Sequence, residues 1–519
     1  MTVNVSDDLR ESARRDPEGI ALIEPRTDRR VTWAEFDQWA DRVAQTLLAR
    51  GVLAGQRVAL VMSNGIDLAV AYYGVLRGGL VAVPINPRAT PREISRMVAA
   101  CSPKIVVGDA QSITQVRQAD TGDSLIVVHR AAPQEGELRF GALLDQARDA
   151  VPVAPRDPES LAVVLFTSGA TGLPRGVMLT HRALAADIDQ LLQIESPPVI
   201  TSDDVVLGLL PMFHVYGLNC VLALSVRAGA TVVLIEEFHP GSLLGDIVEY
   251  GITNLPLAPQ VIQALVGLEG LEGLAEALSS VRLIVSGASA LDPELAQAFH
   301  ALSGQPVEQG YGLTETSPVV TTTVGDGREP GELPPAGSVG RPLPGVEIAL
   351  RDFLGQPAAP GDPAQVYVRG ANLFSGYWPD GSDGPDADGW WATGDIGLLD
   401  DQDNLVLVDR LKETINVSGF NVYPSEIEEA IVDAPGVESV AVIGVEDERT
   451  GEAVVAFVVP DDPEGDAAPV EEAVRAIAAE RLARFKVPSR VIVVAALPHS
   501  PTGKVAKGRL RALVRSEPA

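Results

Sequence analysis

The stretch Phe166-Thr167-Ser168-Gly169-Ala170-Thr171-Gly172-Leu173-Pro174-Arg175-Gly176 decides how the rest of the chain is read. An apolar run, Leu161 to Phe166, precedes it and predicts a buried strand. Beyond it, Val177-Met178-Leu179 leads to Thr180, placed to cap a helix that starts near His181. Between strand and helix lie the hydroxyls of Thr167, Ser168 and Thr171, the glycines Gly169, Gly172 and Gly176, and the cation Arg175. That composition suits phosphate: glycines let backbone N–H groups approach an anion, hydroxyls add donors, and arginine adds charge. No Gly-Lys-Ser/Thr follows the glycines, so this is not a Walker-type loop. Alone, the stretch favours the phosphate loop over a plain Gly/Ser/Thr turn without deciding between them, and the decision falls to the rest of the chain.

At 519 residues the chain is too long for one ordinary domain. Its 46% apolar content is that of a globular protein. A formal charge of −30 argues against a nucleic-acid surface and against binding to anionic membranes. It also requires any polyphosphate site to be locally positive. Cys101 and Cys220 cannot build a disulfide framework, and no CxxC or HExxH spacing occurs. The N-terminal residues are polar, without an apolar signal core. The most membrane-like stretch, Val205 to Leu224, is interrupted by Pro211, His214 and Asn219. The expectation is a cytoplasmic protein with no transmembrane segment.

Outward from the glycine-rich stretch, strands and helices alternate. Thr32-Trp33-Ala34-Glu35 and Thr90-Pro91-Arg92-Glu93 are capping boxes that open helices. Strands are predicted at Arg57–Met62, Val81–Ile85, Val205–Leu210 and Thr231–Ile235, with helices at Ile66–Arg77, Leu218–Arg227 and Leu243–Tyr250. Such alternation predicts an α/β fold of helix-covered parallel sheets, with ligands at the carboxyl ends of the strands. After about residue 326 the chain turns rich in glycine and proline with short strands, and near Arg410 it turns to a compact α+β pattern. The expected domains are 1–409, including a β-rich subdomain from about 326 to 409, and 410–519.

Three more loops carry candidate chemistry. Gln309-Gly310-Tyr311-Gly312-Leu313-Thr314-Glu315-Thr316 sets a flat ring between glycines, followed by a hydroxyl for phosphate and a carboxylate for Mg²⁺. Thr393-Gly394-Asp395 offers a carboxylate able to accept both hydroxyls of a ribose. Pro501-Thr502-Gly503-Lys504 presents a lysine on a glycine turn. Each is weak by itself; solvated side chains in turns would read the same way.

Together and in this order, they resemble the adenylate-forming superfamily of acyl-CoA synthetases, coumarate-type CoA ligases, luciferase and peptide-synthetase adenylation domains. The resemblance rests on FTSGATGLPRG, PMFHVYG at Pro211–Gly217, SGASAL at Ser286–Leu291, YGLTE at Tyr311–Glu315 and TGD at Thr393–Asp395. It continues through DRLKETINVSGFNVYPSEIE at Asp409–Glu428 and PTGK at Pro501–Lys504, so it spans essentially the whole chain. It implies a two-step ligase: a carboxylate attacks the α-phosphate of Mg·ATP to give an acyl-adenylate, and a thiol then displaces AMP. By this resemblance Lys504 bridges carboxylate and α-phosphate, the Thr167–Arg175 loop holds the β- and γ-phosphates, Thr314 meets the α-phosphate and Glu315 binds Mg²⁺. Gly287, Ala288 and Tyr311 enclose the adenine, and Asp395 and Arg410 take the ribose. The C-terminal domain is expected to be mobile, swinging about a hinge at Lys412 so that Ser418-Gly419-Phe420 lines a pantetheine channel.

The chain departs from that pattern in places. Ala170 stands where a hydroxyl is usual, Arg175 where lysine is usual, and SGASA where Ser-Gly-Gly-Ala-Pro is usual. Gln365 replaces a common glutamate, and Asn416 replaces a lysine found in some relatives. His214 occupies the position at which amino-acid-activating relatives carry aspartate, which disfavours an amino acid substrate. Phe213, His214, Val215, Tyr216, Gly217, Leu257, Ala258, Gln260 and Leu313 are the pocket candidates; His214 reads equally as a packed core histidine. Their apolar character favours a fatty or aryl acid. No carrier domain follows Ala519, so free CoA is the expected acceptor, with ATP and Mg²⁺ as the other requirements. A stand-alone enzyme loading a carrier protein and a catalytically impaired nucleotide-binding homologue are the alternatives.

Overall fold

The computed structural model describes residues 4–145, 157–168, 174–268, 273–329, 331–352, 354–359, 361–417, 420–447, 450–463, 465–499 and 505–516. The architecture is the expected α/β class. By its internal packing the chain divides into two compact units, Met1–Glu347 with Val368–Trp391, and Ile348–Tyr367 with Ala392–Ala519.

The first unit holds two large sheets. Among the described residues one has seven strands, in the order Leu138–Arg139, Leu125–Val128, Ile105–Gly108, Arg57–Val61, Val81–Ile85, Leu161–Ser168, Pro174–Thr180. All neighbours are parallel except the last pair. Its inner strands are near-continuous β-branched runs because both faces are covered; all five residues of Val81–Ile85 are buried. The helix Pro91–Cys101 sits against one face through Ile94, Met97, Val98 and Cys101. Among the described residues the second sheet has nine strands, in the order Arg341–Pro342, Val319–Thr322, Glu308–Gly312, Leu283–Ser286, Asn254–Leu257, Val205–Gly208, Thr231–Leu234, Ile20–Glu24, Arg29–Thr32. The middle strands are parallel, and antiparallel strands close both edges. Its core packs Ile247, Ile262 and Phe299 from three helices against Leu207, Leu255 and Ile284.

Both capping boxes form: Thr32 caps the helix Trp33–Ala49 and Thr90 caps Pro91–Cys101, with Glu35 and Glu93 reaching back. Thr180 caps His181–Leu192 by accepting from the Ala183 N–H at 3.1 Å. Two expectations change in detail. Val177-Met178-Leu179 belongs to a strand, Pro174–Thr180, so residues 169–173 join two antiparallel strands and the helix begins only afterwards. The helix expected at Leu218–Arg227 starts earlier, as a π-helical stretch Tyr216–Ala223 that runs into Leu224–Ala228. Its early start follows from the carbonyl of His214, which already accepts from the Leu218 N–H at 2.9 Å.

The second unit contains most of a sheet that among the described residues has four strands, Glu347–Arg351, Ala364–Arg369, Trp391–Leu399 and Leu405–Arg410; Glu347, Val368, Arg369 and Trp391 at the strand ends are assigned to the first unit. A further sheet pairs the long hairpin Val437–Asp447 and Gly451–Pro460 with Ile415–Val417 and Arg490–Val493, and Phe420–Val422 at its edge. The helices Pro424–Ile431 and Ala467–Arg481 bury Ile427, Ile431, Val474 and Ala478 against it. Among the described residues no helix is long and apolar enough to cross a membrane.

Candidate functional site

The hairpin opens in register, with Thr167 opposite Arg175 and Ser168 opposite Pro174. Gly169, Ala170, Thr171 and Gly172 lie outside the described residues. Alongside the Pro174–Thr180 strand runs the segment Ser375–Trp378, which bonds through Trp378 N–H to the Gly176 carbonyl (2.7 Å) and Ser375 N–H to the Met178 carbonyl (3.0 Å). This pairing fixes the Tyr377 ring beneath Arg175, whose guanidinium carbon is 3.5 Å from the ring centroid. The guanidinium also holds Asp383 at 2.5 Å, an exposed pair. The Tyr377 hydroxyl donates to Glu315 Oε1 at 2.7 Å. Burial, reinforced by the Glu315 carboxylate, pushes the Tyr377 phenol well above its ordinary value, so it remains a donor.

Glu315 lies on a short 3₁₀ turn, Thr314–Thr316, that follows the strand Glu308–Gly312. Gly310 pairs with Thr322 and Tyr311 with Thr321, and Tyr311 is buried. At Gly312 a side chain is impossible: a Cβ would lie 1.7 Å from the Pro318 carbonyl oxygen. Leu313 N–H donates to Thr316 Oγ1 at 2.9 Å and to the Pro318 carbonyl at 3.0 Å, which closes the turn. Three buried side chains grip the turn from behind. Asn372 Nδ2 donates to the carbonyls of Thr316 and Val319, each at 2.9 Å. Asn219 Nδ2, on the π-helical stretch, donates to the Ser317 carbonyl at 2.7 Å. Asp187, on the helix after the glycine-rich hairpin, accepts from Val319 N–H at 2.9 Å, from Asn219 at 3.2 Å and from the Cys220 thiol at 3.8 Å. Burial pushes the Asp187 carboxyl well above the usual range against the pull of these donors, and pushes the Cys220 thiol up as well.

The SGASA and PMFHVYG segments meet at Gly287. A Cβ there would lie 2.5 Å from the Tyr216 ring, so glycine is what lets the ring pack. Ala288 beside it takes φ 71, the left-handed region that costs an alanine free energy, at the position where the family pattern has glycine. His214 tilts against Phe213, ring centroids 4.5 Å apart, while Val215 is buried and Gly217 lies inside the π-helical stretch.

In the second unit, Asp395 is buried on the strand Trp391–Leu399 and pairs across the ladder with Arg410. Its N–H donates to Thr393 Oγ1 at 3.1 Å, and that hydroxyl donates to the Val366 carbonyl at 2.9 Å; the loop expected at Thr393-Gly394-Asp395 is instead part of the strand, which runs on through Gly394 at φ 78. Lys412 falls in the 3₁₀ turn Leu411–Glu413. Ser418, Gly419 and Lys504 lie outside the described residues.

Mg²⁺ takes one or two protein carboxylates together with substrate phosphates and water. Glu315 fits that demand: Oε1 is fixed by Tyr377, and Oε2 has no hydrogen-bond partner among the described residues. No group of three or more His, Cys, Asp or Glu able to hold a metal occurs among them either, so an all-protein cage is not on offer there.

Sequence reading missed Tyr377, Asp383, Asp187, Asn219 and Asn372. Tyr377 and Asp383 lie about 200 positions beyond Arg175, a separation of 208 for Asp383, and a lone FSGYW carries no local signal. Asp187 and Asn219 look like ordinary polar positions on helices; only their burial reveals them.

Over residues 9–378 the chain matches the family model described as AMP-binding enzyme, and over residues 426–504 the AMP-binding enzyme C-terminal domain. It is 34% identical over 506 residues to 4-coumarate–CoA ligase 5 of Oryza sativa subsp. japonica, covering 96% of this chain and 92% of that one. ATP-bound MatB from Rhodopseudomonas palustris superposes with a TM-score of 0.89 at 30% identity, covering 99% of each chain. A fatty acyl CoA synthetase of Mycobacterium tuberculosis superposes with a TM-score of 0.76 at 31% identity, covering 98% of each chain. The chain belongs to the AMP-binding enzyme family, within the adenylate-forming superfamily that its motifs resemble.

Proposed function

We propose that this protein is an AMP-forming carboxylic acid–CoA ligase whose acid is an aryl acid of the cinnamate type. The observation that carries the reading is the connected set Arg175–Tyr377–Glu315, which joins the glycine-rich hairpin to the carboxylate of the YGLTE loop. A cation beside phosphate-binding backbone and a carboxylate with one uncommitted oxygen are what a magnesium–triphosphate needs. Bound there, Mg²⁺ would screen the charge between acid and triphosphate, with Glu315 holding it. The acid's oxygen attacks the α-phosphorus, the bond to the β-phosphate breaks and pyrophosphate leaves. The CoA thiol then gives up its proton, attacks the acyl carbon and releases AMP. In this reading Lys504 neutralises the charge developing at the α-phosphate, Thr314 donates to it, and Asp395 and Arg410 take the ribose. Lys412 is the hinge between the two steps, and Ser418 and Gly419 border the thiol's path.

The aryl assignment is supported by the coumarate ligase as relative and by Tyr216, a half-buried ring packed on Gly287 within the proposed pocket segments. A fatty acid is the second reading, favoured by the similarity to the mycobacterial synthetase. The test is AMP release with ATP, Mg²⁺ and CoA across a panel of cinnamic, benzoic and fatty acids, beside Lys504→Ala. Thioester from the aryl acids alone, lost in the variant, supports the reading. Thioester from fatty acids alone replaces the aryl assignment. Adenylate without thioester points to a carrier protein as acceptor, and ATP binding without turnover on any acid overturns the ligase reading.

A further inference from the structure

We infer that Tyr377 is a positioning residue for the metal-dependent part of nucleotide binding, its hydroxyl setting Glu315 while its ring carries Arg175. The inference deepens the adenylating reading above and rests on it. Two independent contacts converge on one side chain: the hydroxyl donates to Glu315 Oε1 at 2.7 Å, and the ring face lies 3.5 Å from the Arg175 guanidinium carbon. The ring itself has little freedom. Phe374, buried, meets it edge-on with centroids 5.1 Å apart. Its backbone is held on both sides, by the bridge to Val177 and by Tyr377 N–H donating to the Ser382 carbonyl at 3.0 Å.

The consequence follows from what each group lacks. A glutamate has three side-chain torsions, and one hydrogen bond from a fixed phenol selects the rotamer that leaves Oε2 uncommitted. A partner that orients a ligating carboxylate typically changes metal affinity by about 10- to 100-fold when removed. Arg175 is also a flexible side chain, and a ring beneath its guanidinium plane limits where the charge can lie. Tyr377 thus aligns the two charges that would face one triphosphate, a cation and a metal-binding anion, although it need touch neither substrate nor metal.

Tyr377→Phe separates the two contacts, since it keeps the ring under Arg175 and removes only the donor to Glu315. The measurement is calorimetric binding of α,β-methylene-ATP to the full-length chain, once with Mg²⁺ and once with EDTA, alongside thermal unfolding of the ligand-free protein. We expect wild type to bind more tightly with Mg²⁺, and Tyr377→Phe to lose about 10-fold of that affinity with its EDTA affinity unchanged. Tyr377→Leu, which also removes the ring, should weaken binding under both conditions. In a Glu315→Gln background, Tyr377→Phe should have no further effect on the Mg²⁺-dependent part. Equal weakening with and without Mg²⁺, or no weakening, overturns the inference while leaving the adenylating reading intact. Failure of the wild type to bind the analogue at all overturns both.

Discussion

Two carboxylates flank the same short turn, and they differ in how much of their hydrogen-bonding capacity the fold uses. Asp187, behind the turn, is fully buried and accepts from a backbone N–H, an amide and a thiol. Glu315, on the turn, is nearly as buried but accepts from one phenol, with Oε2 unpartnered among the described residues. A saturated buried carboxylate serves the architecture; a half-used one at a loop beside a cation is available to a ligand. The loop is therefore built from the rear, and its front is left incomplete.

That contrast gives opposite expectations for removing each group. Glu315→Ala should lower the adenylation rate by about 100-fold or more, the scale on which losing one preorganised transition-state contact is felt, while the thermal midpoint barely moves. Pyrophosphate exchange measured beside thermal unfolding reads both quantities. A large fall in midpoint with little loss of exchange would make Glu315 a structural residue and dissolve the contrast.

Asp187→Ala should do the reverse, costing about 2 kcal/mol of stability because it strands the Val319 N–H and the Asn219 amide in the interior. Urea unfolding tests it. A variant as stable as wild type would mean that the desolvation of the carboxylate already cancels its hydrogen bonds.

The pH dependence sharpens the same point. Burial raises the Asp187 carboxyl well above its unfolded value of 3.8. Between that value and the raised one the native state binds more protons than the unfolded chain, so this group's contribution to stability falls as pH rises through the window. Asp187→Asn removes the titration. Its stability relative to wild type should therefore improve with rising pH, read as the difference in urea midpoints from about pH 4 upward. A difference that is flat in pH would place the titration elsewhere.

What the sequence disclosed follows from this division. Elements whose physics is local were legible: the capping boxes at Thr32 and Thr90 and the apolar runs Val81–Ile85 and Thr231–Leu234. Contacts made over long separations were not. Nothing near Val177 announces that its strand pairs with Tyr377, and nothing near Asp187 announces a partner at Val319. The first strand, Ile20–Glu24, and its partner Arg29–Thr32 also escaped notice, being short and placed in the sheet by the distant strand Thr231–Leu234. Local signals were thus readable, and the distant side chains that hold the Glu315 turn were not.

On the front side, Arg175 is paired with Asp383, an exposed carboxylate that under the proposed function would compete with phosphate for the same cation. Asp383→Asn should lower the KM for ATP about two- to fivefold with kcat unchanged, the range expected of an exposed ion pair, and the gain should shrink in high salt. An unchanged KM at low ionic strength would remove Asp383 from the comparison.

The smallest effect concerns strain. Ala288 holds φ 71 in the segment proposed to border the adenine, with its side chain exposed, a left-handed value that Ser317 (φ 72) shares at the end of the Glu315 turn, where Asn219 holds its carbonyl. Glycine adopts that conformation without steric cost but loses more backbone freedom on folding, so the two terms partly offset. Ala288→Gly should then stabilise the protein by about 0.5–1 kcal/mol, visible as a small rise in the urea midpoint. If nucleotide affinity falls at the same time, the alanine is holding that segment in a ligand-ready shape and its strain belongs to function. If affinity is unchanged, the left-handed alanine is a sequence departure that the fold tolerates, and the unfinished character of the front is confined to Glu315 and Arg175.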